Sequence, residues 1–206
     1  MTFGIRTASV AIVITTGMFV AAATSGQQAA HAADAAPAHY TLDPAKSTFE
    51  YQFTQAGALN KGKFTKYTVT LDFSPDNLAT SKLDVVVDMN SLDTGDKERD
   101  DTLKSADLFS AAKFPQSRFT STQITKTANG YDAVGKLTIR GVSRDTHVPF
   151  SFKTADEQGK PAGYLLGKTT IKRLDFGVGQ GDWKATDQVG NDVAVTYSLR
   201  LVPAAH

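Results

Sequence analysis

The chain has 206 residues, enough for one domain of ordinary size, with 22 Lys+Arg against 21 Asp+Glu. That balance, with no Lys/Arg cluster, excludes the basic face that nucleic-acid binding requires. There is no cysteine, so disulfides, thiolate chemistry and Cys-ligated zinc are excluded together, and stability rests on packing and strand pairing.

Residues 1–32 read as a secretory signal peptide. Arg6 is the only charge before the apolar run Val10 to Ala23. That run is short of the roughly 20 apolar residues of a spanning helix. Ala30-His31-Ala32 then supplies an A-x-A cleavage pattern, with cleavage expected after Ala32. An uncleaved membrane anchor is the alternative. An exported chain without cysteine suits a bacterial periplasm, where disulfides are allowed but not required. Residues 33–39, Ala-rich around Pro37, are expected to be a disordered lead-in to a folded domain over 40–203.

From Tyr40 onward the sequence alternates as strands do. Phe49, Tyr51 and Phe53 share one face. Gly57 and Asn60 to Gly62 read as a turn region. Tyr67, Val69, Leu71 and Phe73 make a second strand, and Ser74-Pro75-Asp76-Asn77 a turn by composition. Leu83, Val85, Val87 and Met89 make a third. One apolar face per strand argues for an antiparallel sheet.

The stretch Thr94 to Phe119 breaks this pattern. It carries a charged run, a short helical pattern and Lys113-Phe114-Pro115, and reads as a helix-bearing connection across one end of the β body. Asp96 is placed to cap that helix. Arg99 and Asp100 are expected to tie it to the barrel rim.

Five more strands follow. Arg118 to Lys126 is polar and Thr-rich. Asn129-Gly130 turns the chain into Tyr131 to Arg140, a strong hairpin signal. Gly141 to Arg144 reads as a second tight turn, leading to Val148, Phe150 and Phe152, with Pro149 marking an edge or bulge. Ala162 to Arg173 and Asn191 to Val202 complete the set. The fold class is therefore all-β: an eight-stranded antiparallel, lipocalin-like β-barrel with a helical insert between strands 3 and 4. Such a barrel either fills with side chains or holds one small ligand, and the pattern alone leaves both open.

Catalytic and metal chemistry finds little support. His39, His147 and His206 are the histidines outside the leader, and none pairs at helical i, i+4 spacing. His147 has outward parity. Ser143, Asp145 and His147 share one short segment, whereas triad members come from separate ones. Gly177-Val178-Gly179-Gln180-Gly181 lacks the strand-then-helix setting of a phosphate loop and reads as a flexible loop at the barrel mouth. Trp183, the sole tryptophan, either contacts a ligand or anchors that loop.

One ordered set of short motifs runs through the chain: Leu42-Asp43, Gly62-Lys63-Phe64, Thr94, Glu98-Arg99-Asp100, Leu103-Lys104-Ser105, Asp107, Phe109, Lys113-Phe114-Pro115 and Phe119-Thr120-Ser121. Gly135 to Ser143 and Arg173-Leu174-Asp175-Phe176-Gly177 extend it. Together they resemble the YceI family of exported, lipocalin-like polyisoprenoid-binding proteins, over nearly all of Tyr40 to Val202. The resemblance implies an extended eight-stranded barrel, a helix within Thr94 to Phe114, and a long isoprenoid chain, quinone or polyprenyl lipid, in an apolar tunnel. It also implies an association with membrane cytochromes. Many relatives have histidine where this chain has Gln55 and Thr102, so no role of those histidines carries over.

Parity and closeness to the insert nominate the ligand lining: Phe49, Tyr51, Phe53, Phe64, Val69, Leu71, Val85, Val87, Leu108, Phe109, Phe119, Leu137, Phe150, Phe152 and Phe176. The expected protein is a periplasmic carrier that stores or transports an isoprenoid lipid or quinone. It is not an enzyme, and no catalytic residue, metal or other cofactor is assigned. No nucleic-acid partner is expected. Transient membrane or membrane-cytochrome contact and a homodimer are compatible with it. The rival is a stress-response or cytochrome-associated interaction module whose barrel is filled. A third reading, an enzyme acting on a lipid head group, needs a polar constellation at the barrel mouth.

Overall fold

The computed structural model describes residues 36–204. The signal peptide and its cleavage site lie outside them. The strands are β1 (Ala38–Leu42), β2 (Thr48–Gln55), β3 (Ala58–Phe64), β4 (Tyr67–Phe73), β5 (Lys82–Asp88), β6 (Leu92–Asp93), β7 (Gln116–Thr127), β8 (Gly130–Ile139), β9 (Val142–Glu157), β10 (Lys160–Lys172) and β11 (Asp192–Pro203). One α-helix, α1 (Lys97–Lys104), lies between β6 and β7.

All the strand pairs are antiparallel, and β1-β4-β5-β7-β8-β9-β10-β11 close on themselves through β1 against β11. This is the expected eight-stranded barrel. β11 is longer than β1, so it pairs twice along one edge. Leu201 to Pro203 face β1, while Ala194 to Ser198 face β2, which continues into β3 and β6. The side flap β2-β3-β6 thus extends one half of the barrel.

β3 corrects the expected turn at Asn60 to Gly62. The turn is tighter, at Ala56-Gly57, where both residues have positive φ, and β3 follows at once. Its inward positions are Asn60, Gly62 and Phe64, so no apolar alternation announces it. Gly62 serves packing: a Cβ there would lie 2.4 Å from the Tyr51 ring, its partner across the ladder. β1 begins at Ala38, so the last two residues of the expected lead-in are strand, paired with Phe73 and Asp72. The second tight turn is likewise shorter than Gly141 to Arg144. Arg140-Gly141 makes it with positive φ, and Val142 already pairs with Ile139.

Pro149 does mark an edge. β9 pairs with β8 along its first half, but its ladder to β10 runs only from Glu157↔Lys160 to Phe150↔Gly167. Pro149 has no N–H to extend that ladder. Beyond it, Val142 to Val148 and Lys168 to Lys172 diverge, spanned by the Thr169 hydroxyl donating to the His147 carbonyl at 3.0 Å. The wall is therefore split lengthwise over half its height.

The interior also divides. At the closed end Phe73 meets Tyr131 and Phe152 edge-on, each at 4.9 Å between ring centroids, and Tyr40 meets Phe152 at 5.2 Å. Leu71, Leu83, Leu165 and Leu201 are fully buried around the barrel core. On the outer face of β11, between inward Leu199 and Leu201, Arg200 is covered by Asp43 at 2.5 Å and Glu157 at 2.7 Å.

Candidate functional site

The insert covers the other end. Asp96 caps α1 as expected, its carboxylate accepting from the Arg99 N–H at 3.0 Å. Asp100 ties the helix back to the rim by accepting from both the N–H and the hydroxyl of Thr94, at 2.8 and 2.7 Å. Arg99 does something else. It makes no ion pair among the described residues and borders a cavity under the helix. After α1 the chain turns tightly, and the N–H groups of Phe109 and Ala111 return to the carbonyls of Leu103 and Lys104. Leu108 is thereby buried, with Leu103 and Phe109 packed beside it.

Opposite the insert lies the glycine-containing loop. It is pinned to the insert: the Gly179 and Gln180 N–H groups donate to the Asp107 carbonyl at 3.0 and 2.8 Å. The buried Arg173 guanidinium holds it from inside. Nε, Nη1 and Nη2 donate to the carbonyls of Gly190, Val178 and Val189, at 3.0, 2.8 and 2.7 Å. Gly179 permits this approach, since a Cβ there would lie 1.9 Å from Arg173 Nη1. Burial holds the Arg173 pKa below the usual arginine value. Backbone carbonyls, not a carboxylate, satisfy it.

Between the closed end and this cover runs a tunnel of three cavities. The central one is about 110 Å³ and is lined by Phe49, Tyr51, Phe64, Met89, Leu92, Phe176 and neighbours. It shares Phe49, Val87, Leu137 and Ile171 with a cavity of about 80 Å³ toward the barrel middle. It shares Tyr51, Phe109, Arg173 and Val193 with one of about 60 Å³ beneath α1. The lining is almost wholly apolar. The mid-barrel cavity reaches the split wall, where Thr146 and Val148 of β9 and Thr169 and Ile171 of β10 border it.

Of the nominated residues, Phe49, Tyr51, Phe53, Phe64, Val85, Val87, Leu108, Phe109, Phe119, Leu137 and Phe176 line these cavities. Val69, Leu71, Phe150 and Phe152 do not. They have inward parity but sit toward the closed end, where the core is packed solid. Parity identifies the inner face and says nothing of height along the axis. The reading missed Met89, Leu92, Ile139, Ile171, Val193, Val195 and Tyr197. The β11 alternation already marked the last three as inward. Arg173, Val178 and Trp183 had no periodic signal, because a loop places them. Gln55 and Thr102 border the cavity beneath α1 together.

Outside the barrel, Ser143, Asp145 and His147 each have a separate partner. Ser143 meets the Thr138 hydroxyl at 2.7 Å, Asp145 meets Lys136 at 2.8 Å, and His147 meets Asp132 at 2.6 Å. They form no relay.

A lipocalin-like barrel, packed at one end and hollow beneath a helical cover at the other, is a ligand-binding architecture. The model of the YceI-like domain matches residues 40–201, and the chain belongs to that family. A UPF0312 protein of Vibrio vulnificus is 31% identical over 172 residues, covering 81% of this chain and 87% of its own length. One from Yersinia enterocolitica is 37% identical over 121 residues, 57% of this chain and 62% of that protein. The match therefore spans less than two thirds of the Yersinia protein. Among solved structures, Burkholderia cenocepacia BcnA has a TM-score of 0.71 at 32% identity, covering 77% of this chain and 98% of BcnA. A polyisoprenoid-binding domain from Saccharophagus degradans shares the fold, with a TM-score of 0.57 at 17% identity, covering 80% of this chain and 98% of that one.

Proposed function

We propose that this protein binds a long isoprenoid chain, of the quinone or polyprenyl type, and stores or transports it in the periplasm after export. The observation that carries the reading is the tunnel: three adjoining voids that share walls, lined by apolar side chains, under a cover formed by α1 and the Arg173 loop. A thin branched hydrocarbon suits such a shape, and its stabilisation comes from apolar burial at about 25 cal/mol per Å² before binding costs. Membership of the YceI family and the polyisoprenoid-binding neighbour support the same ligand class. A binding role accords with membership of the YceI family and with the apolar lining.

The test is mass spectrometry of an organic extract of the full chain, purified from the periplasm of an expressing bacterium. A stoichiometric isoprenoid supports the reading. A folded protein with no lipid, which also refuses added prenylquinone, supports the filled-barrel interaction module instead. Val87→Arg, which puts a charge between two of the cavities, is expected to abolish uptake. Ile171→Phe, which fills the same place without charge, is expected to do so while keeping the fold.

A further inference from the structure

We propose that the cavity beneath α1 is a head-group site, and that it takes a neutral carbonyl oxygen of the ligand through the hydroxyl of Tyr51. This rests on the tunnel holding an isoprenoid chain and adds which end of the chain lies where, and what that end must carry.

The polar groups of the tunnel are not spread evenly. The central cavity has few polar walls, whereas the mid-barrel one includes Ser117, Arg118, Thr146 and Thr169. The cavity beneath α1 gathers Gln55, Arg99, Thr102, Arg173 and Trp183 around Tyr51. Arg99 and Trp183 are donors only, Gln55 both donates and accepts, the Arg173 N–H groups are taken up by the loop carbonyls, and the lining contains no carboxylate. With no anionic acceptor in its wall, and with Arg99 in no ion pair among the described residues, the site favours a head group that accepts hydrogen bonds.

Tyr51 is the group that asks for a partner. Its side chain is 95% buried, being 5% exposed, and its hydroxyl has no hydrogen-bond partner among the described residues. A buried hydroxyl left unpaired is costly, and native structures nearly always satisfy it. The neighbouring polar groups bond to other partners, and none pairs with the Tyr51 hydroxyl. Asp100 accepts from Thr94, Asp93 accepts from the Gly95 N–H at 2.9 Å, and the Thr102 hydroxyl donates to the Glu98 carbonyl at 2.8 Å. The ring is held in place over Gly62, so the hydroxyl has little room to swing toward solvent.

Charge decides between a carbonyl and an anion. Burial raises the Tyr51 pKa, and the nearby charges of Asp100 and Asp93 raise it further against a smaller opposing effect of Arg99. The phenol therefore stays a protonated donor. The same two carboxylates oppose a second negative charge beside it, while Arg99 and Arg173 offset their field. A neutral acceptor meets neither penalty. Trp183 lines the same cavity and is an aromatic partner for a flat ring.

The experiment measures affinity of the full chain for three probes with one prenyl chain length: a prenylquinone, the prenol and the prenyl phosphate. The wild type is expected to bind the quinone tightest. Tyr51→Phe removes only the unpaired hydroxyl, so thermal stability should hold or rise. It should weaken quinone binding about tenfold, equivalent to about 1.4 kcal/mol, and leave the prenol nearly unchanged. Bound quinone should also quench Trp183, the single tryptophan, because its ring lies against the indole. The site assignment is overturned if Tyr51→Phe weakens all three probes equally, or if bound quinone leaves Trp183 unquenched. A prenyl phosphate that outbinds the quinone overturns the carbonyl. A wild type that takes up none of the three overturns the tunnel reading itself.

Discussion

At one end of the barrel Tyr40, Phe73, Tyr131, Phe150 and Phe152 interlock, edge-to-face around Phe73 and stacked between Tyr131 and Phe150, and fill the section. At the other, Phe49, Tyr51 and Phe64 also touch, with centroids 5.0 to 5.2 Å apart, yet they stand around a tunnel. The residue types are alike; the perimeter differs. The closed half is a ring of eight paired strands. The hollow half is widened by the flap β2-β3-β6, split between β9 and β10, and roofed by a helix and a loop. The two buried arginines show the same contrast. Arg200 ties the outer face of β11 to β9 and to the segment after β1 through two carboxylates, whereas Arg173 holds the roof through backbone carbonyls alone. One end is built to stay shut. The other is built to leave space and to place a cation beside it without an acid in the lining.

The sharpest break of this contrast is Leu71→Ala. Leu71 is fully buried in the packed half, so the truncation opens a new void and is expected to cost about 3 to 4 kcal/mol by urea unfolding. Next is Arg173→Leu, which leaves the carbonyls of Val178, Val189 and Gly190 without their donor. A loss of about 3 kcal/mol is expected, with earlier proteolysis of the loop that follows Arg173. Ile171→Ala enlarges a cavity that already exists at a half-buried position, and a cost of about 2 kcal/mol, below that of Leu71→Ala, is expected. Equal losses at positions 71 and 171 would erase the distinction between the halves.

A pH test addresses the closed end. The hydrogen bond from Arg200 holds the Glu157 pKa below the usual carboxylate value, and Arg200 and Lys46 charges add to it. A depressed carboxylate contributes stability above its unfolded pKa and loses it as pH falls through the folded one. Glu157→Gln should therefore lower the melting temperature at neutral pH and flatten its decline below about pH 4.5. The smallest effect is local: within Val142 to Val148, the amides that face the split toward β10 should exchange faster than those bonded to β8, read by hydrogen exchange.

Seven of the eight barrel strands, the flap strand β2, the capped helix and the edge at Pro149 were legible because each rests on a local signal, whereas the short barrel strand β1 was not set apart. Those signals are alternation, an Asp before a helical run, and a residue without an N–H. β3 was not, since Asn60 and Gly62 occupy its inward positions and its reason to be a strand is the Tyr51 ring across the ladder. The lining was legible as a face but not as a height, so Val69, Leu71, Phe150 and Phe152 were assigned to the tunnel with Phe49 and Val87.

The sequence by itself determined which side chains point inward, where the helix begins, and the family the chain resembles, because periodicity and local hydrogen bonding act over a few residues. Tertiary structure alone decided which inward residues pack solid and which border a void. It also brought Tyr51, Arg99 and Arg173, from a strand, a helix and a loop far apart in the chain, to one cavity. Void and convergence are properties of the closed perimeter, which no segment carries alone.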